Sequence, residues 1–355
     1  MTSPDSTSIN RVLVTGAAGY IGSHAALRLT EAGCEVTGYD DLSRGHRGAI
    51  MAIEQAARTA SGSFSFIEGS ISDRAGLAKI LREREIDVVM HFAAFAYVGE
   101  SVDIPLRYYD NNTGGACRLL EAVQDAGVQR LVFSSTCATY GEPPADRIPI
   151  AEDCPQSPIN PYGHSKLMVE RMLQDQVAAM QSAGQPFAAA ALRYFNVAGS
   201  DPQGRVGEDH RPETHLIPIC LEVAAGRREA LTIFGEDYAT PDGTCIRDYV
   251  HVLDLVDAHI EVMRALQPGE LRRYNIGLGH GWSVREVLES CRRVTGREIT
   301  ARQGPRRAGD PPELFADAGR ISRELGWEPK FTDLDETVAT AWKWMQANPQ
   351  GYGEL

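Results

Sequence analysis

Short apolar runs alternate with segments of helical period through the first half of the chain. Arg11–Thr15, Glu35–Tyr39, Phe64–Ile67, Asp87–Phe92 and Arg130–Ser134 are rich in β-branched and aromatic residues and read as strands. Between them, Tyr20–Ala32, Arg74–Arg84 and Leu106–Ala126 repeat apolar residues every three or four positions, which predicts helices. A longer helix over Pro161–Ser182 leads into a strand at Phe187–Arg193. Strands that alternate with helices specify an α/β fold with a doubly wound parallel sheet, because each parallel crossover needs a covering helix. After Asn196 the pattern turns to Gly/Pro-rich loops between short elements, so a smaller, loop-rich C-terminal domain is expected. The division expected is 9–195 and 196–355, with a stretch near 237–265 returning to the first domain.

Such sheets bind ligands beyond the carboxyl ends of their strands, so chemistry is sought just after each run. The first run enters Gly16-Ala-Ala-Gly19-Tyr20-Ile21-Gly22 and then a helix. Glycines at a strand-to-helix turn let backbone N–H groups and the positive helix end approach a pyrophosphate. The second strand ends at Asp40, where a carboxylate accepts hydrogen bonds from ribose hydroxyls and repels a 2′-phosphate, favouring NAD over NADP. Tyr162 and Lys166 lie four residues apart on one helix face, where an ammonium can lower a phenol's pKa. With four lysines and twelve tyrosines in 355 residues, a chance Tyr-x-x-x-Lys is expected only ~0.14 times. Thr136, just after Leu131–Ser134, adds a hydroxyl able to bridge the phenol and a substrate hydroxyl.

Composition narrows the classes. The chain carries 35 Lys+Arg against 48 Asp+Glu, a net charge of −13, which disfavours nucleic acid and anionic bilayers as partners. No apolar run reaches membrane-span length, and the first eight residues are polar, so a cytoplasmic protein is expected. Seven cysteines without a Cys-x-x-Cys suggest reduced core thiols. His91 and His251 have no second ligand at helical or hairpin spacing, so they are expected to be structural and no metal is expected. Trp342 and Trp344 are expected to pack against the smaller domain.

Gly16–Gly22, Thr136, Tyr162 and Lys166 resemble the extended short-chain dehydrogenase/reductases. Within them the sequence is similar to the UDP-glucose 4-epimerases over nearly its whole length. The stretches that carry this are His91–Ala94, Val98–Ser101, Tyr108–Asn111, Phe133–Thr136, Arg193–Asn196, Ile233–Gly235, Asp242–Thr244, Arg247–Tyr249 and Arg306–Asp310. The resemblance implies a Rossmann-type NAD-binding domain, a UDP-sugar-binding domain and a homodimer through helices Leu106–Ala126 and Pro161–Ser182. It implies that Tyr162 takes the proton of the sugar 4-hydroxyl while C4 gives its hydride to a tightly bound NAD, the 4-ketose turns over, and the hydride returns. Cofactor contacts implied besides the glycine loop and Asp40 are Ser70, Ile71, Phe92, Ala93, Ala94, Asn111, Ser134 and Tyr194. Substrate contacts implied are Phe195, Asn196, Phe234, Arg247, Tyr249, Arg307, Asp310 and Leu314, with Leu314 at the position that gates sugar size.

Departures from the family pattern are Thr136 for Ser, Ala96 for Lys and Ser70 for Asp. A UDP-xylose/UDP-arabinose 4-epimerase, or one acting on UDP-GlcNAc/UDP-GalNAc, stays open. A sugar-nucleotide dehydratase is disfavoured by Cys137-Ala138 where its Asp-Glu would stand, and a decarboxylase by Ala138 where it carries Glu. A non-catalytic NAD-binding regulator on the same fold is disfavoured by retention of Thr136, Tyr162 and Lys166 together.

Overall fold

A computed structural model describes residues 9–185, 187–306 and 311–353. Six strands occur where the alternation placed them: β1 Arg11–Thr15, β2 Glu35–Asp40, β3 Ser63–Glu68, β4 Val88–His91, β5 Arg130–Ser134 and β6 Ala188–Tyr194. With Leu271–Ile276 they make one seven-stranded sheet in the order Leu271–Ile276, β6, β5, β4, β1, β2, β3, every pairing parallel. The direction of winding reverses between β1 and β4, which opens a crevice above their carboxyl ends. Strand interiors such as Val12, Val14, Val88, Met90, Val132 and Ala190 are fully buried under helices on one face, while Leu13, Val89, Leu131 and Phe133 are buried on the other. Both sheet faces are therefore core.

Three features differ from the sequence reading. Helix Arg47–Ala57 crosses from β2 to β3, where an exposed, mixed-polarity surface weakened the pattern. The Leu106–Ala126 helix is broken by a π-helical turn at Tyr109–Gly114. A seventh strand, Leu271–Ile276, extends the main sheet; within the stretch 237–265, helix Val252–Ala265 covers that sheet, while Ile246–Arg247 belongs to a small three-stranded sheet with Trp282–Ser283 and Glu313–Leu314. The sequence Leu-Arg-Arg-Tyr-Asn-Ile hides that strand, because its first half is only partly buried at the sheet edge.

Helices Leu216–Ala224, Val284–Thr295 and Leu334–Ala347 build a separate apolar cluster that includes Trp342, with Trp344 also buried. A parallel pair, Asn196–Ala198 with Tyr249–His251, links this part to the sheet's carboxyl edge. Among the described residues no helix is long and apolar enough to cross a membrane.

Candidate active site

The glycine loop forms a cradle that side chains would fill. Gly16 has a φ of +75°, and a Cβ there would lie 2.6 Å from the Ala93 amide nitrogen, so the loops after β1 and β4 are in contact across the crevice. A Cβ on Gly22 would lie 2.0 Å from the Gly16 carbonyl oxygen. Gly19 caps helix Tyr20–Glu31, leaving its first-turn N–H groups, including Tyr20 and Ile21, at the crevice. Asp40 accepts from the Ala18 and Leu42 amides at 3.0 and 2.8 Å, which fixes its carboxylate against the loop. Burial raises its pKa, and those two amides oppose the rise. A glycine-lined turn at a helix N-terminus, flanked by a fixed carboxylate, fits a dinucleotide with a free ribose diol.

Residues after the other strands close the crevice. Phe92, Ala93 and Ala94 follow β4, with the Phe92 amide bonded to the Thr15 carbonyl at 3.1 Å. Ser70 and Ile71 follow β3; Ile71 is buried, and the Ser70 carbonyl accepts from the Tyr39 hydroxyl at 3.0 Å. Asn111 lies in the π-helical turn and donates to Asn112 Oδ1 at 3.0 Å. Asn112, which the sequence reading passed over, is the buried member: it bonds both backbone groups of Phe95 at 2.8 and 2.9 Å and Ser165 Oγ at 3.0 Å. The turn thus ties the loop after β4 to helix Pro161–Ser182.

That helix begins on Asn160, whose Oδ1 accepts from the Gly163 amide at 2.8 Å, with Pro161 in its first turn. A Cβ at Gly163 would lie 2.5 Å from the Ala138 carbonyl, so glycine permits the helix start to press on the loop carrying Thr136. Tyr162 and Thr136 are each 6% exposed, and Thr136 Oγ1 accepts from the Ala138 amide at 3.1 Å. Lys166, 2% exposed, donates to the Ser134 carbonyl at 2.9 Å and lies 5.9 Å from the Tyr162 ring centre. Burial pushes the Tyr162 phenol well above its ordinary value, with Thr136 opposing, and pulls Lys166 down to about 7. Each charge alone is disfavoured here, and a phenolate beside an ammonium is favoured by mutual attraction in low dielectric. Ser134 Oγ and the Tyr194 hydroxyl lie 2.8 Å apart beside this pair.

Beyond Thr136 lie residues that follow β6 and residues of the small three-stranded sheet. Phe195 is buried with Cys137, Tyr140 and Ile150, and Leu314 packs against this cluster. Leu314 pairs with Arg247 in the small sheet, and the Arg247 charge acts on Cys137 next to Thr136. Asn196 pairs with Tyr249 across the parallel strands, and its side chain opposes the rise that burial gives the Tyr249 phenol's pKa. Phe234 ends the strand Leu231–Phe234. Arg307 and Asp310 lie outside the described residues. His91 and His251 have structural partners: Thr15 Oγ1 at 2.8 Å for one, the Leu253 amide and Thr340 for the other.

Behind the reacting face runs a buried network that sequence reasoning missed. Glu170, one turn beyond Lys166, receives Arg193 Nη2 at 2.6 Å, Arg193 Nε at 3.0 Å and the Ser135 hydroxyl at 2.5 Å. Arg193 also donates to the Tyr140 hydroxyl at 2.8 Å, which donates to Asn275 Oδ1 at 2.7 Å. Its members lie 23 to 135 positions apart, so no local spacing announces them.

Known proteins match this architecture. The model of the "NAD dependent epimerase/dehydratase family" matches residues 12–277. A UDP-glucose 4-epimerase of Lacticaseibacillus casei is 48% identical over 97% of this chain and 99% of its own. UDP-arabinose 4-epimerase 1 of Arabidopsis thaliana is 46% identical over 97% of this chain and 81% of its own. The crystal structure of UDP-glucose 4-epimerase from Bifidobacterium longum in complex with NAD⁺ and UDP superposes with a TM-score of 0.89, at 36% identity, over 96% of this chain and all of that one. The chain belongs to the NAD dependent epimerase/dehydratase family.

Proposed function

We propose that the protein is an NAD-dependent UDP-sugar 4-epimerase whose principal substrates are UDP-glucose and UDP-galactose. The observation that carries the reading is the meeting of Thr136, Tyr162 and Lys166 between the glycine cradle and the wall of Phe195, Arg247 and Leu314. When bound, NAD⁺ supplies the oxidant that takes the C4 hydrogen with its electron pair and later returns it.

Tyr162 accepts the proton of the sugar 4-hydroxyl across the Thr136 hydroxyl and gives it back when the other epimer forms. Lys166 holds the cofactor ribose and stabilises the phenolate. Arg247 and Arg307 bind the diphosphate, Asn196 adds a hydrogen bond to it, Phe234 and Tyr249 line the nucleotide pocket, and Asp310 binds a nucleotide hydroxyl. Ser70, Ile71, Phe92, Ala93, Ala94, Asn111, Ser134 and Tyr194 complete the cofactor site. Holding the substrate by its nucleotide leaves the ketose free to turn over. Residues 9–195, with the later return, are read as the NAD-binding domain and the rest as the UDP-sugar domain.

Gly22→Ala tests the cradle. The added methyl meets the Gly16 carbonyl, and at ~1–3 kcal/mol of overpacking the NAD affinity is expected to fall about 10- to 100-fold. NAD released on denaturation and counted per chain checks this; an unchanged content contradicts it.

A pentose substrate is the second reading, favoured by the 46% identity to the Arabidopsis UDP-arabinose 4-epimerase. Separate incubations with UDP-galactose, UDP-GalNAc and UDP-arabinopyranose, followed by NMR, separate the cases. Leu314 narrows the sugar pocket, so UDP-galactose is expected to outpace UDP-GalNAc by about 10-fold or more, with Leu314→Ala closing the gap. Faster turnover of the pentose would transfer the assignment to that sugar.

We read the enzyme as cytoplasmic, with all seven cysteines free thiols. We also read it as a homodimer, since Leu106 and Met168 leave exposed apolar side chains on the helical segments Leu106–Ala126 and Pro161–Ser182, and Val98 and Val102 add two more on the neighbouring helix Val98–Asp103. A dimer is expected by light scattering at micromolar concentration, and a monomer there would remove this reading.

A further inference from the structure

Residues 208–215 form a loop before helix Leu216–Ala224, on the rim of the dinucleotide crevice. Four of its eight side chains, Glu208, His210, Glu213 and His215, turn inward so that one ligand atom from each lies within 4.8 Å of all the others. His210 Nδ1 is 3.1 Å from Glu208 Oε1 and 3.8 Å from Glu213 Oε2. His215 Nδ1 is 2.8 Å from Glu208 Oε1 and 3.1 Å from Glu213 Oε1. The two carboxylate side chains are only 7% and 5% exposed.

Each imidazole makes one hydrogen bond, His210 to Glu208 and His215 to Glu213, with an oxygen of the second carboxylate beside it. Two nearly buried carboxylates that converge repel each other unless a positive charge sits between them, and without metal the His215 imidazolium, held protonated by Glu208 and Glu213, is that charge. Lone pairs aimed at one centre are also how a metal cation is held, and a cation bound there would displace the His215 proton. For four N/O ligands at about 2.0–2.1 Å in a tetrahedron, neighbouring ligand atoms are roughly 3.3 Å apart, in the middle of the spacings seen. Glu213 is positioned independently of the histidines, because its Oε1 accepts from the Thr214 and His215 amides, both at 2.7 Å.

We propose that Glu208, His210, Glu213 and His215 form a structural binding site for one divalent cation of the Zn²⁺ class. Two carboxylates and two neutral imidazoles balance its charge and fill a tetrahedron with protein ligands, which marks a structural site and not a catalytic one. The loop is already seated on the crevice rim: the His210 ring packs edge-on against Tyr20 of the glycine loop and Tyr97 after β4, and the Asp209 carbonyl is 2.9 Å from His46 Nε2. A cation bound there fixes this loop over the segments that hold the dinucleotide. The signal in the sequence is Glu-x-His-x-x-Glu-x-His, a loop spacing outside the helical and hairpin patterns by which metal sites are usually sought.

The test uses the full-length enzyme without a histidine tag, freed of metal by a chelator. Zn²⁺ binding is measured by competition with a chromophoric chelator, and Co²⁺ replaces Zn²⁺ for visible spectroscopy. Expected are one Zn²⁺ per chain, the intense bands of four-coordinate Co²⁺, a higher Tm with metal, and affinity at least ~100-fold lower in Glu208→Gln and in His210→Ala/His215→Ala. Glu208→Gln and Glu213→Gln preserve side-chain shape, and circular dichroism checks that each variant is folded. No stoichiometric Zn²⁺ on the wild-type protein, equal affinity in the folded variants, or the weak spectrum of six-coordinate Co²⁺ would each overturn the site.

Discussion

Replacing Tyr162 by Phe is expected to lower kcat about 10²- to 10⁴-fold while leaving the fold, the NAD content and substrate KM near wild type. The ring stays among Phe95, Tyr108 and Ala138, so the apolar packing is kept. What goes is one oxygen, the only atom of that side chain able to exchange a proton with the substrate. Burial raises the phenol's pKa, so the group is a weak acid until an ammonium stands beside it, and Lys166 is the cation on the same helix face. Thr136→Val is expected to show a smaller loss in the same parameter, because it removes the relay and leaves the base. Steady-state kinetics with UDP-galactose decide the matter. Tyr162→Phe activity within tenfold of wild type would remove Tyr162 from the chemistry and revive a binding-only role for the chain.

Glu170→Gln is expected to cost stability on a scale unusual for a one-atom change, about 3–5 kcal/mol by urea denaturation. Glu170 and Arg193 are each 2% exposed and joined by two-point hydrogen bonding. Burial by itself would raise the Glu170 carboxyl; hydrogen bonds from Arg193 and Ser135 outweigh it and hold the pKa below the usual value. Neutralising Glu170 leaves the Arg193 guanidinium buried without its counter-charge, facing neutral acceptors: the remaining amide oxygen, the Tyr140 hydroxyl and the Glu152 carbonyl. The variant is also expected to lose kcat, since Glu170 lies one turn from Lys166 and its partner Ser135 directly precedes Thr136. Glu170→Leu/Arg193→Met, which removes both charges, is expected to recover part of the stability. A loss below about 1 kcal/mol in Glu170→Gln would show that solvent reaches the pair.

Parts of the molecule that depend on local period or local chemistry were legible in the sequence. β1, β4 and β5 stand out because both faces of the sheet are covered and their central residues are continuously apolar. Tyr162 and Lys166 were legible because four residues make a helix turn, and Thr136 because it follows a strand end. Arg47–Ala57 and Leu271–Ile276 were not, since each has a polar face that erases the pattern. The Glu170–Arg193–Tyr140–Asn275 network was invisible for a different reason: its partners meet only through tertiary packing. Asn112, buried in a π-helical turn, was not singled out because no local period marks it.

The C4 hydrogen is expected to leave and return to the same sugar carbon under control of Tyr162. UDP-galactose carrying deuterium at C4 tests it directly, in water and with no NAD added. Conversion to UDP-glucose is expected with the deuterium retained at C4, and unlabelled substrate in D₂O is expected to gain none there. Loss of the label to solvent, or no conversion even after NAD is supplied, would contradict it.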